Sequence, residues 1–315
     1  MTEARFVHIV DDVPELEGRS DGPVLVLTLQ GFLDAGNAAA IALQHLGSGP
    51  TSQPGGQPGS GSTGRVVASF EVDEFYDYRA RRPPMSFTED RYADYEAPRL
   101  VVRLVEDALG SPYLLLSGPE PDIRWEAFAR AVRAVVEHFE VRLVVALGSV
   151  PMAVPHTRPV QLTNHATAQR LLVQENVWKG EIRVPASAQS LLELRLGEWG
   201  HDAMGFVAHI PHYVAQYDYP QAAVALLEGL EDVTGLQWDH TALKEAGEAR
   251  QVELATQIAD SDEVREVVTG LEQQYDAYHS QAANLLAEDE PLPSGEEIGA
   301  QFEQFLARLE EPEGD

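Results

Sequence analysis

Five polar side chains sit just past the ends of predicted strands: Asp34, Glu120, His156, Arg158 and His212. In an open α/β sheet, the crevice outside the carboxyl ends of the strands is where ligands bind. Glutamate and histidine take and return protons, and arginine holds an anion. Together they would suit phosphorolysis or hydrolysis of a small anionic or nucleoside-type substrate. No nucleophile accompanies them. The chain has no Gly-x-Ser-x-Gly elbow and no Walker-type phosphate loop. His156 and Arg158, in a proline-rich loop, can instead tie down backbone carbonyls and pair with a buried acid. The five therefore stand as a candidate anion crevice, with no residue assigned as catalytic. His209 and His212, with Asp218 nearby, have the types a metal needs. Side chains of a strand-to-loop segment need not converge, so neither a metal nor a cofactor is expected.

A second group lies in Asp73–Pro83, the densest mixture of aromatic, acidic and basic residues in the chain. Tyr76, Tyr78, Arg79, Arg81 and Arg82 there form a candidate partner surface. The competing expectation is that the aromatics bury and the arginines pair with local acids.

The charge narrows the partners. Lysine and arginine number 22 against 51 acidic residues, a net of −29. Nucleic acid demands a basic footprint, and an anionic membrane repels such a chain, so neither is an expected partner. The absence of cysteine excludes disulfides, thiolate catalysis and Cys-ligated zinc. No apolar run approaches the ~20 residues of a membrane span, and residues 1–5 do not read as a secretion signal. A cytoplasmic protein is expected.

The elements that must position these side chains read as α/β. Val24–Leu29 is a strand, followed by the turn Gly31–Asn37 and a helix over 38–46, with Asp34 or Asn37 as its cap. Residues 47–64 carry no large apolar side chain and read as a flexible insertion. Leu100–Val105 and Tyr113–Ser117 form a hairpin, so the sheet is mixed. The spacing of Trp125, Phe128, Ala129, Val132, Val135 and Val136 gives a helix with one buried stripe. Val141–Leu147 is a buried strand ended by Gly148, and Pro151, Pro155 and Pro159 stiffen the loop that holds His156 and Arg158. Thr163-Asn164 reads as the cap of a helix to Val173, and Trp178–Val184 as a short strand. A helix bearing Leu191, Leu192, Leu194 and Leu196 on one face follows, then the strand Gly205–Ile210. Pro220 opens a further helix. Beyond Thr241 the pattern is helical. One stripe runs through Ala249, Val252, Ala255 and Ile258, and another through Val264, Val267, Val268, Leu271, Tyr275 and Tyr278, with a break at Asp260-Ser261-Asp262. The expected organisation is an α/β/α body over 1–240, a helical extension over 241–286, and an acidic tail with a short helix over 287–315.

Several stretches in order resemble the proteasome assembly chaperone family, in the branch of the second such chaperone. They are Gly31 with Asp34-Ala35-Gly36, Asp77–Pro83, Gly118–Pro121 with Arg124-Trp125, Leu147-Gly148, Pro155–Pro159 and Pro211-His212-Tyr213. The stretch Leu191–Gly197 and the helical C-terminal region are similar to actinobacterial members. The turn reads Gly31-Phe32-Leu33-Asp34 where the family often has Gly-Trp-Asn-Asp. The resemblance implies a three-layer α/β/α body with a mixed central sheet, phosphorylase/hydrolase-like in fold, plus a C-terminal helical extension. It also implies work done by binding protein chains, this chain itself among them as a homo-oligomer. An enzyme of the phosphorylase/hydrolase kind is the alternative.

Overall fold

The computed structural model describes residues 6–18, 21–31, 33–47, 64–173, 180–259 and 262–285. Most of the expected insertion and all of the expected acidic tail lie outside them. The elements in order are β1 (Val7–Ile9), β2 (Val24–Gln30), α1 (Ala38–Gly47), β3 (Arg65–Phe70), β4 (Met85–Thr88), β5 (Arg91–Tyr95), β6 (Val101–Glu106) and β7 (Pro112–Pro119). Then come α2 (Trp125–His138), β8 (Leu143–Met152), β9 (Leu162–Ala166), α3 (Ala188–Glu198), β10 (Ala203–Pro211), α4 (Pro220–Thr234), α5 (Thr241–Ala259) and α6 (Asp262–Leu285).

Eight strands form one mixed sheet in the order β1-β3-β6-β7-β2-β8-β10-β9. The four inner strands β7, β2, β8 and β10 run parallel. Successive side chains of a strand point to opposite faces, so a strand buried on both must be apolar throughout. In β2, Leu25 and Leu27 face a core shared with Phe128 and Val132 of α2 and Leu192 and Leu196 of α3. Val24 and Val26 face another, shared with Ala42 of α1, Leu227 of α4 and Leu254 of α5. The architecture is thus three layers, α/β/α, with α5 packed on α4 and α6 on α5.

Five expectations are corrected. β8 continues past Gly148 through Pro151 to Met152, paired with β10. Its pairing with β2 stops at Ala146, so Pro151 costs no ladder bond on that side. The stretch after Thr163-Asn164 is not one helix running to Val173, and only Gln169–Leu171 forms a short 3-10 turn. Leu162–Ala166 is a strand, because pairing with β10 satisfies its backbone and outweighs a local cap signal. Residues 181–186 belong to no strand. On α3, Leu192 and Leu196 are buried while Leu194 is exposed. On α5, Val252 is 68% exposed, and the inward face is Leu243, Gly247, Leu254 and Ile258. One element was not expected: β4 and β5 make a separate two-stranded hairpin.

Candidate functional site

Because β7, β2, β8 and β10 run parallel, the connections that follow them leave at one edge of the sheet. Glu120 follows β7, Asp34 follows β2, His156 and Arg158 follow β8, and His212 follows β10. The five candidates are therefore ordered along that edge by the strand order itself.

Asp34 caps α1. Its two carboxylate oxygens accept the N–H groups of Ala39 and Ala40, each at 2.9 Å. The same carboxylate lies 2.8 Å from the Ser149 hydroxyl, which also lies 2.8 Å from the Ala35 carbonyl. Gly36, at φ 66°, makes the turn possible. A Cβ there would stand 2.8 Å from the Cβ of Tyr219.

Glu120 is 9% exposed. Its Oε1 accepts the Ala188 N–H at 2.7 Å, so a carboxylate buried after β7 holds the first turn of α3. Gly31 admits it, since a Cβ there would lie 2.4 Å from Glu120 Oε2. The backbone carbonyl of Glu120 accepts from the Arg81 guanidinium.

His156 is buried, and it is tied at three points. Its N–H donates to the Tyr213 hydroxyl at 2.8 Å, and its carbonyl accepts from Gln251 Nε2 at 2.8 Å. The Tyr213 hydroxyl also lies 2.8 Å from Nδ1. With one proton and two lone pairs, the phenol that accepts from the backbone can pair with Nδ1 in either ring tautomer, donating to it or accepting from it. Burial lowers the His156 pKa, opposed by the nearby Glu272, and burial raises that of Tyr213. His212 is exposed, with its ring 5.4 Å from that of Tyr213. Both histidines thus meet the same tyrosine.

Arg158 reaches α6. Its Nε and Nη2 bond the two carboxylate oxygens of Asp276 at 2.8 and 2.6 Å, and its Nη1 lies 3.4 Å from Glu272. The Asp276 hydrogen bonds raise its pKa further. Thr157 donates to Glu272, and the Tyr275 hydroxyl to the Pro159 carbonyl at 3.3 Å. The charge read as an anion clamp is occupied by this chain's own acids. His209, buried, lies 2.8 Å from the Thr163 hydroxyl, and no three His, Asp or Glu residues gather to hold a metal among the described residues.

In the second group, Arg81 bonds Asp122 at 2.7 Å and stacks 4.7 Å from the centre of the Tyr76 ring. Tyr76 packs on Tyr78, whose hydroxyl donates to Asp73 at 2.6 Å. Arg79 and Arg82 remain exposed. Beyond them β4 and β5 present Met85, Phe87, Tyr92 and Tyr95, with Tyr92 75% exposed. An open hollow of about 580 Å³ lies between residues 216–220 and α5. Its Arg250 pairs with Glu253 and lies over Tyr217, and its Asp218 accepts from Asn37.

The model of the PAC2 family matches residues 28–258. This chain belongs to the PAC2 family. Among solved structures, a Mycobacterium tuberculosis protein of unknown function is 41% identical, covers 88% of this chain and 92% of its own, and superposes with a TM-score of 0.77. A Corynebacterium glutamicum protein of unknown function is 35% identical, with 88% and 99% covered and a TM-score of 0.78. A Mycobacterium tuberculosis homologue of proteasome-assembly chaperones is 26% identical, with 78% and 99% covered and a TM-score of 0.68. No curated protein matches significantly. In this PAC2 family member, Ser149, Tyr213, Glu272 and Asp276 lie against the candidate residues, and none of the four was among the site residues expected from sequence. Tyr213 stood beside His212 in a recognised motif. The two acids of α6 carried no local signal, since their partner lies more than 110 positions away.

Proposed function

We propose that this PAC2 family member is a non-catalytic binding protein of the assembly-chaperone type, which docks on other protein chains and associates with itself. The observation that carries the reading is how the polar groups of the carboxyl edge are used. Asp34 holds α1, Glu120 holds α3, His156 is locked by Tyr213, and Arg158 is saturated by α6. A working general base needs a proton to take, and an anion clamp needs an open valence. These groups are spent on architecture. The hydroxyl of Ser149 faces a carboxylate, with no histidine in its hydrogen bonds.

The partner surface is the loop bearing Arg79 and Arg82 together with the β4–β5 hairpin. Tyr76, Tyr78 and Arg81 serve it by packing its base. An isolated two-stranded hairpin is marginal in water, and exposed aromatics with arginine are the residues that anchor protein interfaces. The partner proposed is a set of proteasome subunits, a reading supported by the likeness to a Mycobacterium tuberculosis protein described as a homologue of proteasome-assembly chaperones. The test is co-expression with the proteasome α-subunits of the source cell, read by native mass spectrometry. A stoichiometric complex that the double variant Phe87→Ser, Tyr92→Ser loses is expected. Free chains in both cases, or a small molecule retained in the purified protein and turned over, would overturn the reading.

A further inference from the structure

Residues 180–186 form the last part of the connection from β9 to α3, and they hold the only pattern for a strand that the fold leaves unused among the described residues. Glu181-Ile182-Arg183-Val184 alternates charged and β-branched residues, the signature of a half-buried strand. Yet residues 181–186 belong to no helix, turn or strand, and every one of them is exposed. Ile182 is 62% exposed and Val184 69%. Glu181 and Arg183 have no hydrogen bond or ion pair. The arm is anchored at its far end, where Ser187 caps α3 and the Ala188 N–H is held by Glu120.

We infer that this arm pairs with the same arm of a second copy, antiparallel about a two-fold axis through Ile182. This rests on the self-association proposed above and says where it occurs. A two-fold interface must be self-complementary, and cross-strand neighbours lie on the same face. With Ile182 opposite Ile182, Glu181 of each copy faces Arg183 of the other, twice over. Those four charges share one face. On the other face the two isoleucines meet, and Val184 falls opposite Gly180 of the second copy, which has no side chain to obstruct it. Sliding the pair by one residue turns charge toward isoleucine and valine, because a one-residue slip exchanges the faces. Centring it on Glu181 or on Arg183 places like charges opposite one another, which is destabilising. One register therefore satisfies both faces. Gly180, at φ 151°, and Pro185, which has no N–H, bound the strand.

The second copy, rather than a different protein, is the occupant this charge pattern selects. A ribbon this short cannot hold two chains alone, and it sets the register of a wider contact. Leu172 and Val173, 37% and 54% exposed, lie on the same connection. The arm leads into the N-terminus of α3 beside Glu120, so the pairing turns the carboxyl edges of two sheets toward each other.

The absence of cysteine makes the test clean. Ile182→Cys places two thiols directly across the axis, within the Cα separation a disulfide spans. Val252→Cys, on the exposed face of α5, reports random collision at similar exposure. The full chain is oxidised in native buffer and the covalent dimer followed by non-reducing electrophoresis. The expected result is dimer formation at least about tenfold faster for Ile182→Cys. Glu181→Arg alone and Arg183→Glu alone are expected to lower the mass by light scattering, and the double swap to restore it. Monomer mass for the wild-type chain would overturn the self-association reading itself. An oligomeric wild type with equal cross-linking rates and unaltered masses in both single swaps would overturn the arm and leave self-association standing elsewhere.

Discussion

At the scale of single residues, four of the five candidates at the carboxyl edge, Asp34, Glu120, His156 and Arg158, are hydrogen-bonded or ion-paired within the chain. Asp34 receives two backbone N–H groups that α1 would otherwise leave unpaired, and it neighbours a buried serine hydroxyl. Asp34→Ala should lower stability by roughly 1–2 kcal/mol through the lost cap, since the Ser149 hydroxyl keeps the Ala35 carbonyl as its acceptor. Chemical denaturation checks it, and a loss no larger than that of an exposed surface change would contradict it. The capping role was legible in the sequence because capping is local. The serine was not, because Ser149 lies 115 positions away. The histidines add a pH dependence. Burial is the main cause lowering the pKa of His45, His156 and His209 from the ordinary 6.5. Between 6.5 and the lowered folded values, the unfolded chain binds more protons, so stability rises with pH there. The expected curve is flat above about pH 6.5 and falls on acidification below it. Melting temperatures across pH 5–8 test this. For His156→Gln, which stays neutral, the acid-side slope should be shallower.

At the scale of elements, α6 is attached through charge as well as through its buried Val268 and Leu271. It meets the loop after β8 through Arg158, Thr157 and the Pro159 carbonyl. Arg158→Ala should speed amide exchange in α6 while leaving the sheet strands protected, because the loop's other ties, to Tyr213 and Gln251, remain. Exchange measured by mass spectrometry decides it, and unchanged protection of α6 would mean the ion pairs carry none of the attachment. We treat α5 and α6 as a cover on the body rather than an independent domain. Leu254 of α5 belongs to the same core as α1 and α4, and Gln221 of α4 bonds the Gly247 carbonyl. A chain ending at Asp239 should expose that face and aggregate. A truncated chain that stays dispersed, with an unaltered melt, would refute this. The elements legible in the sequence were those with a strong period, such as α2. The failures share a cause. β9 exists because β10 lies beside it, and Val252 faces solvent because α4, not the period, chooses which side of α5 is covered. Both are long-range decisions.

At the scale of the whole molecule, the dominant quantity is a net charge of −29. Bringing two such chains together opposes a repulsion that acts over many ångströms, whereas an ion pair between Glu181 and Arg183 acts at contact. Salt affects the two differently. The Debye length shrinks to about 10 Å at 0.1 M, which removes most long-range repulsion between exposed charges. An exposed ion pair contributes only about 0–1 kcal/mol at the outset, so its screening costs little. The balance predicts that self-association strengthens as salt is raised through the low-millimolar range toward about 0.15 M, then levels off as the screening length becomes shorter than the gap between the two surfaces. The dissociation constant from sedimentation equilibrium at several salt concentrations measures this directly. Weakening of the oligomer over that range would mean that short-range charge pairs, rather than the overall acidity of the chain, govern how copies of this protein meet.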